Sequence, residues 1–251
     1  MSVKRIVARM PAHTCYCEVF AGAGWVLFGK PPTRVEVLND LNEELLNFYR
    51  QVKLHPRRVA RLLESMPHSR KLFDDFCRLR PHARDRAFRA ARFAYLLKTA
   101  FAGDLSRKPQ FGYSKKTPHR MGVQMRERIL EAADRLRRVT LELGDWRKVI
   151  KRYDSRETLF YCDPPYVGLR YYQHNFEQPD HEELARVLRR IEGRFMLSYN
   201  DVPEVRRLYA WARIEEIGVT YRIKNIAGRI GRELLITNFE PVSPAVEGIA
   251  A

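Results

Sequence analysis

Asp163-Pro164-Pro165-Tyr166 follows the apolar run Leu159-Phe160-Tyr161-Cys162, so a short strand runs into a stiff turn. Two successive prolines fix φ twice and withdraw two backbone donors, which leaves the carbonyls pointing outward rather than into a sheet. The four residues gather a carboxylate (Asp163), a fixed carbonyl (Pro164) and an aromatic ring (Tyr166) at one spot. That set suits an exocyclic amino group on a planar base: carboxylate and carbonyl accept its two N–H bonds, and the ring stacks on the base. A plain Pro-rich turn after a core strand is the competing reading.

A second group lies near the start. Phe20-Ala21-Gly22-Ala23-Gly24 ends an apolar run, and glycines there let the backbone turn sharply and let a ligand approach closely. Asp40 closes the next apolar run, where an acidic side chain binds ribose hydroxyls in nucleotide-binding α/β folds; an N-cap of the following helix is the alternative. Asp145, beside Trp146, is placed either to accept from an adenine amino group or to end a helix. Leu27 stands where a dinucleotide fingerprint needs its third glycine, and no phosphate-loop motif occurs. The ligand expected is one with ribose and adenine but no phosphate chain.

Charge points to the partner. The formal net charge is +16, and residues 51–144 carry 23 Lys+Arg against 9 Asp+Glu, whereas the rest of the chain carries 23 against 21. Such a local excess favours a nucleic-acid face over a merely solvated surface. Within it, Phe101–Gly122 mixes Arg107, Lys108, Lys115, Lys116 and Arg120 with Phe101, Phe111 and Tyr113, and reads as a DNA-contacting loop. Arg84, Arg86, Arg89 and Arg92 crowd the helical stretch before it.

The elements that must position these residues alternate. Strands are expected at Thr14–Phe20, Arg34–Leu38, Thr158–Cys162, Phe195–Tyr199 and Leu234–Phe239. Helices are expected at Leu41–Leu54, with Leu41, Leu45 and Phe48 on one stripe, and from a capping box of Asp180 and Glu183 onward. Pro56 to about Ala100 reads as helical, and Gln124–Leu143 as one helix with Met125, Ile129, Ala132, Leu136, Val139 and Leu143 on its apolar stripe. The class is α/β, with a parallel sheet and an inserted, mostly helical module. Residues 1–50 and 145–251 are expected to form the core, and 51–144 the insert.

At 251 residues the chain can bury a full core, and no apolar run approaches the ~20 residues of a membrane span. Its start lacks a signal peptide's apolar stretch. Cys15, Cys17, Cys77 and Cys162 show neither zinc spacing nor a disulfide framework, so no metal is expected and a reducing cytoplasm is. The absence of a coiled-coil signature suggests a monomer.

Taken in order, Tyr16–Gly24, Val37–Asn42, Gly144–Trp146, Phe160–Tyr166, Leu197–Asp201 and Glu233–Asn238 resemble the Dam-type, alpha-group family of DNA adenine N6-methyltransferases. The resemblance spans most of the chain. It implies a Rossmann-like S-adenosylmethionine-dependent methyltransferase sheet with an inserted target-recognition domain, acting on double-stranded DNA. Phe20, Gly22 and Gly24 would line the methionine end of the cofactor, Asp40 its ribose, and Asp145 with Trp146 its adenine. Asp163, Pro164, Pro165 and Tyr166 would hold a flipped-out adenine. A bacterial or phage origin and a restriction endonuclease counterpart are further expectations from the family.

Two features depart from its pattern. Family members carry a Gly-Gly-Lys segment ahead of the first strand, whereas this chain opens Met1-Ser2-Val3-Lys4-Arg5; the insert also lacks the family's GATC-reading elements. N4-methylation of cytosine needs the same chemistry and stays open from the residues alone. So does a DNA-binding homologue with impaired catalysis.

Overall fold

The computed structural model describes residues 2–79, 85–103, 105, 109–113, 123–169, 175–218 and 232–241. Seven strands form one sheet in the order β3-β2-β1-β4-β5-β7-β6. They are β1 (Cys15–Glu18), β2 (Val35–Asp40), β3 (Val139–Leu143), β4 (Thr158–Cys162), β5 (Arg194–Asn200), β6 (Arg213–Gly218) and β7 (Arg232–Thr237). β1 runs parallel to both β2 and β4, and β4 is parallel to β5. β7 is antiparallel to β5 and β6, so the expected parallel sheet carries one antiparallel strand near its far edge. Every residue of β4 is buried, and its near-continuous apolar run Leu159-Phe160-Tyr161-Cys162 suits a strand covered on both faces.

Strand order sets a reversal point in the sheet. The chain adds β2 and β3 on one side of β1, then returns to add β4 and β5 on the other. The carboxyl ends of β1 and β4 therefore flank the reversal point, where open α/β sheets bind ligands. Cys17, Val19, Phe160, Cys162, Phe195, Leu197 and Ile236 form the sheet's core, with Trp146, Leu184 and Tyr209 from the flanking segments.

Three helix expectations need correction. α3 spans Glu43–Leu54, because Asn42 rather than Asp40 is its N-cap and accepts from Glu44 and Leu45 N–H. Leu41 thus lies outside the helix and is exposed. α9 spans Gln178–Leu188, and its capping box pairs Glu177 with Asp180 instead of Asp180 with Glu183. The stripe through Gln124–Leu143 is two elements, α7 (Val123–Leu136) and β3. Val139 and Leu143 sit four apart and mimic a helical stripe, yet Val139, Leu141 and Leu143 also alternate as a strand does. α1 (Val3–Val7), α2 (Trp25–Gly29), α8 (Trp146–Tyr153), α10 (Pro203–Leu208), β3 and β6 were not anticipated.

The chain divides into two compact units: Met1–Asn39 with Gly144–Arg170 and Phe176–Ala251, and Asp40–Leu143 with Tyr171–Asn175. The second holds α3, α4 (Pro56–Glu64), α5 (Arg70–Arg78), α6 (Arg86–Thr99) and α7. Residue 50, the expected boundary, falls inside α3, which packs on α6 and α7. Phe101 and Tyr113 are exposed, whereas Phe111 packs against His68 and Phe73. No helix among the described residues is long and apolar enough to cross a membrane.

Candidate active site

Asp163 directly follows β4, at the reversal point. Its side chain reaches solvent, while Pro164 and Pro165 behind it are buried and Tyr166 is half-buried. The Tyr166 hydroxyl hydrogen-bonds the Asp163 carboxylate and lies 3.5 Å from Glu233 Oε1. Crowding by protein raises the Asp163 carboxyl to about 6; the Tyr166 bond opposes that rise and the Glu233 charge adds to it. Water on the open side moderates the crowding, but the direction is upward. An aspartate of raised pKa is still ionised at neutral pH and is a stronger acceptor than an ordinary one. Asn200 at the end of β5 donates from Nδ2 to Val167 O (3.1 Å), which ties the turn after Tyr166 to the sheet.

The glycine turn follows β1. Gly22 and Gly24 have φ of 46° and 65°, a left-handed conformation that favours glycine. A Cβ on Gly22 would meet nothing within 4 Å, so conformation alone requires glycine there and that side of the turn is open. The buried Glu18 carboxylate anchors the turn from beneath, with Oε2 accepting from Leu27 N–H and from the Tyr16 hydroxyl, each at 2.9 Å. Burial pushes Glu18 up to about 8, and the Asp163 charge adds to the rise.

Asn39 joins the ends of three segments. Its Nδ2 donates to Val19 O (2.9 Å) and Gly144 O (3.1 Å), and its Oδ1 accepts from Gly144 N–H (3.0 Å). Asp145, next in the chain, is the N-cap of α8 and accepts from Arg147 N–H at 2.8 Å, so its helix-capping alternative is realised. Arg147 also bonds Asp145, Asp180 and Glu183, and its guanidinium lies 4.4 Å from the Trp146 ring centre.

Aromatic rings connect the two halves. Trp146 and Phe20 have centroids 6.4 Å apart, and Phe176 stands beside both at 6.1 and 5.5 Å. Phe176 meets His181 (5.3 Å), His181 meets Tyr199 (5.8 Å), and Tyr199 meets Tyr166 (5.7 Å). The chain of contacts thus runs from the Asp145–Trp146 corner to the Asp163–Tyr166 corner.

Asp40 is the last residue of β2, and its Oδ1 accepts from Asn42 N–H at 2.9 Å. Arg107, Lys108, Lys115, Lys116 and Arg120 lie outside the described residues. Glu18, Asn39, Phe176 and Glu233 were not singled out from sequence. Two had a signal: Glu18 interrupts an apolar strand, and Glu233 precedes the apolar run Leu234-Leu235-Ile236.

Residues 2–223 match the model of the D12 class N6 adenine-specific DNA methyltransferase family, and the chain belongs to that family. It is 28% identical over 249 residues to the type II methyltransferase M1.LlaDCHI of Lactococcus lactis subsp. cremoris, covering 89% of this chain and 86% of that one. It is 25% identical over 256 residues to a DNA adenine methylase of Vibrio cholerae serotype O1, covering 95% and 92%. It is 28% identical over 258 residues to the type II methyltransferase M.MjaIII of Methanocaldococcus jannaschii, covering 89% and 88%. The expected family and its reaction, N6 methylation of adenine in DNA, are therefore shown, and cytosine is no longer the competing base.

Proposed function

We propose that this adenine methyltransferase takes S-adenosylmethionine at the glycine turn and a flipped adenine at Asp163. The residues present fit such a cofactor: an open left-handed glycine turn, an aromatic wall and a carboxylate suit a nucleoside with a sulfonium cation and a short amino-acid tail. Phe20, Gly22 and Gly24 would line the methionine end, Asp40 the ribose, and Asp145 with Trp146 the adenine. When bound, the cofactor supplies an electrophilic methyl group.

This chain's own residues prepare the nucleophile. The adenine N6 lone pair is delocalised into the ring, so the amine is a weak nucleophile. Hydrogen bonds from its two protons to Asp163 and the Pro164 carbonyl favour a pyramidal nitrogen whose lone pair is available. Tyr166 stacks on the base and offsets part of the few kcal/mol that flipping costs. Placement and electrostatics then provide most of the acceleration.

Residues 1–50 and 145–251 would form the catalytic core and 51–144 the target-recognition insert. Arg107, Lys108, Lys115, Lys116 and Arg120 would contact double-stranded DNA. A monomer in a bacterial or phage-infected cytoplasm fits this reading, and the type II names of two relatives favour a restriction endonuclease counterpart.

The observation that carries the reading is the unbroken run of ring contacts from Trp146 to Tyr166. Calorimetric titration with S-adenosylmethionine tests it. Asp40→Ala and Asp145→Ala should each weaken binding at least tenfold, and Asp163→Ala should leave it within about twofold. Wild-type affinity in both Asp40 and Asp145 variants would contradict the assignment.

A further inference from the structure

The arginines of the second compact unit separate into two kinds. Arg89 bonds Glu43 and Glu44, and the buried Arg92 donates to the carbonyls of Phe76 and Leu79. Lys53 likewise donates to Val139 O at 2.7 Å. These cations tie neighbouring elements together. Arg50 and Arg86 do not: both are exposed, and neither forms an ion pair among the described residues.

Arg50 and Arg86 line one open cleft of about 510 Å³, together with His55, Arg58 and Asp85. It lies where the end of α3, the start of α4 and the start of α6 meet. Asp85 is the one carboxylate among the described residues that line it, and its oxygens are already engaged. Oδ1 caps α6 by accepting from Ala87 and Phe88 N–H, and Oδ2 accepts from Arg58 at 2.7 Å. Among the described lining residues, three guanidinium groups meet one occupied carboxylate, so the cleft is cationic. A helical surface that needed only solubility would intersperse both signs.

We infer that this cleft is a docking site for backbone phosphate of duplex DNA and does not read sequence. Guanidinium forks match phosphate oxygens bidentately. Phosphate contacts fix register on the duplex and carry no base preference. The inference rests on the DNA-methylating reading of the chain and adds a second point of attachment to it.

Fluorescence anisotropy with an unmethylated duplex of about 20 base pairs, measured from 50 to 200 mM salt, tests it. The Arg50→Ala/Arg86→Ala double variant should bind roughly tenfold more weakly near 100 mM salt. The slope of log affinity against log salt should fall by about 0.9 for each phosphate that is no longer neutralised. KM for DNA should rise, with kcat at saturating DNA and S-adenosylmethionine affinity unchanged. The Arg50→Lys/Arg86→Lys variant should recover most of the slope, because charge is kept.

Unchanged DNA affinity and slope in the alanine variant would overturn the site. So would a lysine variant as weak as the alanine one together with a matching loss of thermal stability, since that pattern belongs to a structural cluster. Wild-type protein with no duplex affinity would instead overturn the parent reading, and the site with it.

Discussion

Asn39 grips Gly144 from both sides, donating from Nδ2 to its carbonyl at 3.1 Å and accepting from its N–H at 3.0 Å. The pair of bonds fixes the backbone one residue before Asp145 to the end of β2. A third bond, to Val19 O, extends the grip to the residue before Phe20. One buried amide therefore sets the spacing between the glycine turn and the Asp145–Trp146 corner.

Asn39→Ala removes three hydrogen bonds in a site that is 1% exposed and leaves their partners unpaired. A stability loss of about 2–4 kcal/mol is expected from urea denaturation. Cofactor affinity should fall with it at a temperature where the variant remains folded. A loss below about 0.5 kcal/mol would show that the grip is incidental.

Methyl transfer should have an acid limb near pH 6, because Asp163 must be ionised to accept the amino protons and its carboxyl is raised to about 6. Glu233 raises it, so Glu233→Gln should move that limb to lower pH. The Tyr166 bond lowers it, so Tyr166→Phe should move the limb up, apart from any loss of rate. Profiles of kcat/KM against pH from 5 to 8 check both signs. A limb that stays in place in both variants would remove Asp163 as the titrating group.

Glu18 offers a separate pH effect, on stability. Its ordinary value is 4.5 and the folded protein raises it to about 8. A group raised on folding contributes stability that is complete below the ordinary value and lost as pH rises through the folded one. Wild-type protein should thus lose stability from about pH 4.5 to 8. In Glu18→Gln the amide oxygen still accepts from Leu27 and Tyr16, nothing ionises, and the decline should be shallower. Urea midpoints at pH 5, 7 and 9 would show it; parallel curves for the two proteins would contradict it.

Gly22→Ala separates backbone strain from ligand exclusion. The added methyl meets no protein atom within 4 Å, so the structural cost is that of a left-handed alanine, about 1–2 kcal/mol. If the turn faces the cofactor, affinity for S-adenosylmethionine should fall more than tenfold in folded protein. Wild-type affinity would place the cofactor elsewhere.

Much of this site was legible because its signals are local. Asp163-Pro164-Pro165-Tyr166, the glycine pair and Asp145-Trp146 are each written in consecutive residues, and the first two lie at the end of a strand whose apolar pattern is plain. What escaped was non-local or ambiguous in period. Asn39 and Phe176 act on partners more than a hundred residues away in sequence, Gly144 and Phe20. β3 was hidden because residues 139 and 143 satisfy a helical stripe and an alternating strand equally. α9 starts earlier than expected because Glu177 and Asp180 form the capping box, which leaves Glu183 to bond Arg147. Which arginines of the insert are structural was invisible, since Arg86 and Arg89 differ only in what their neighbours offer.

The most direct test incubates purified protein with labelled S-adenosylmethionine and unmethylated DNA, then identifies the methylated nucleoside by mass spectrometry of the digest. Wild-type protein should yield N6-methyladenine. Asp163→Ala should lower the rate by about 10²–10³-fold or more while DNA and cofactor binding persist, as expected when an electrostatic partner of the reacting group is removed. An Asp163→Ala variant that still methylates adenine at near the wild-type rate would contradict the assignment of Asp163 as the residue that holds the target amine.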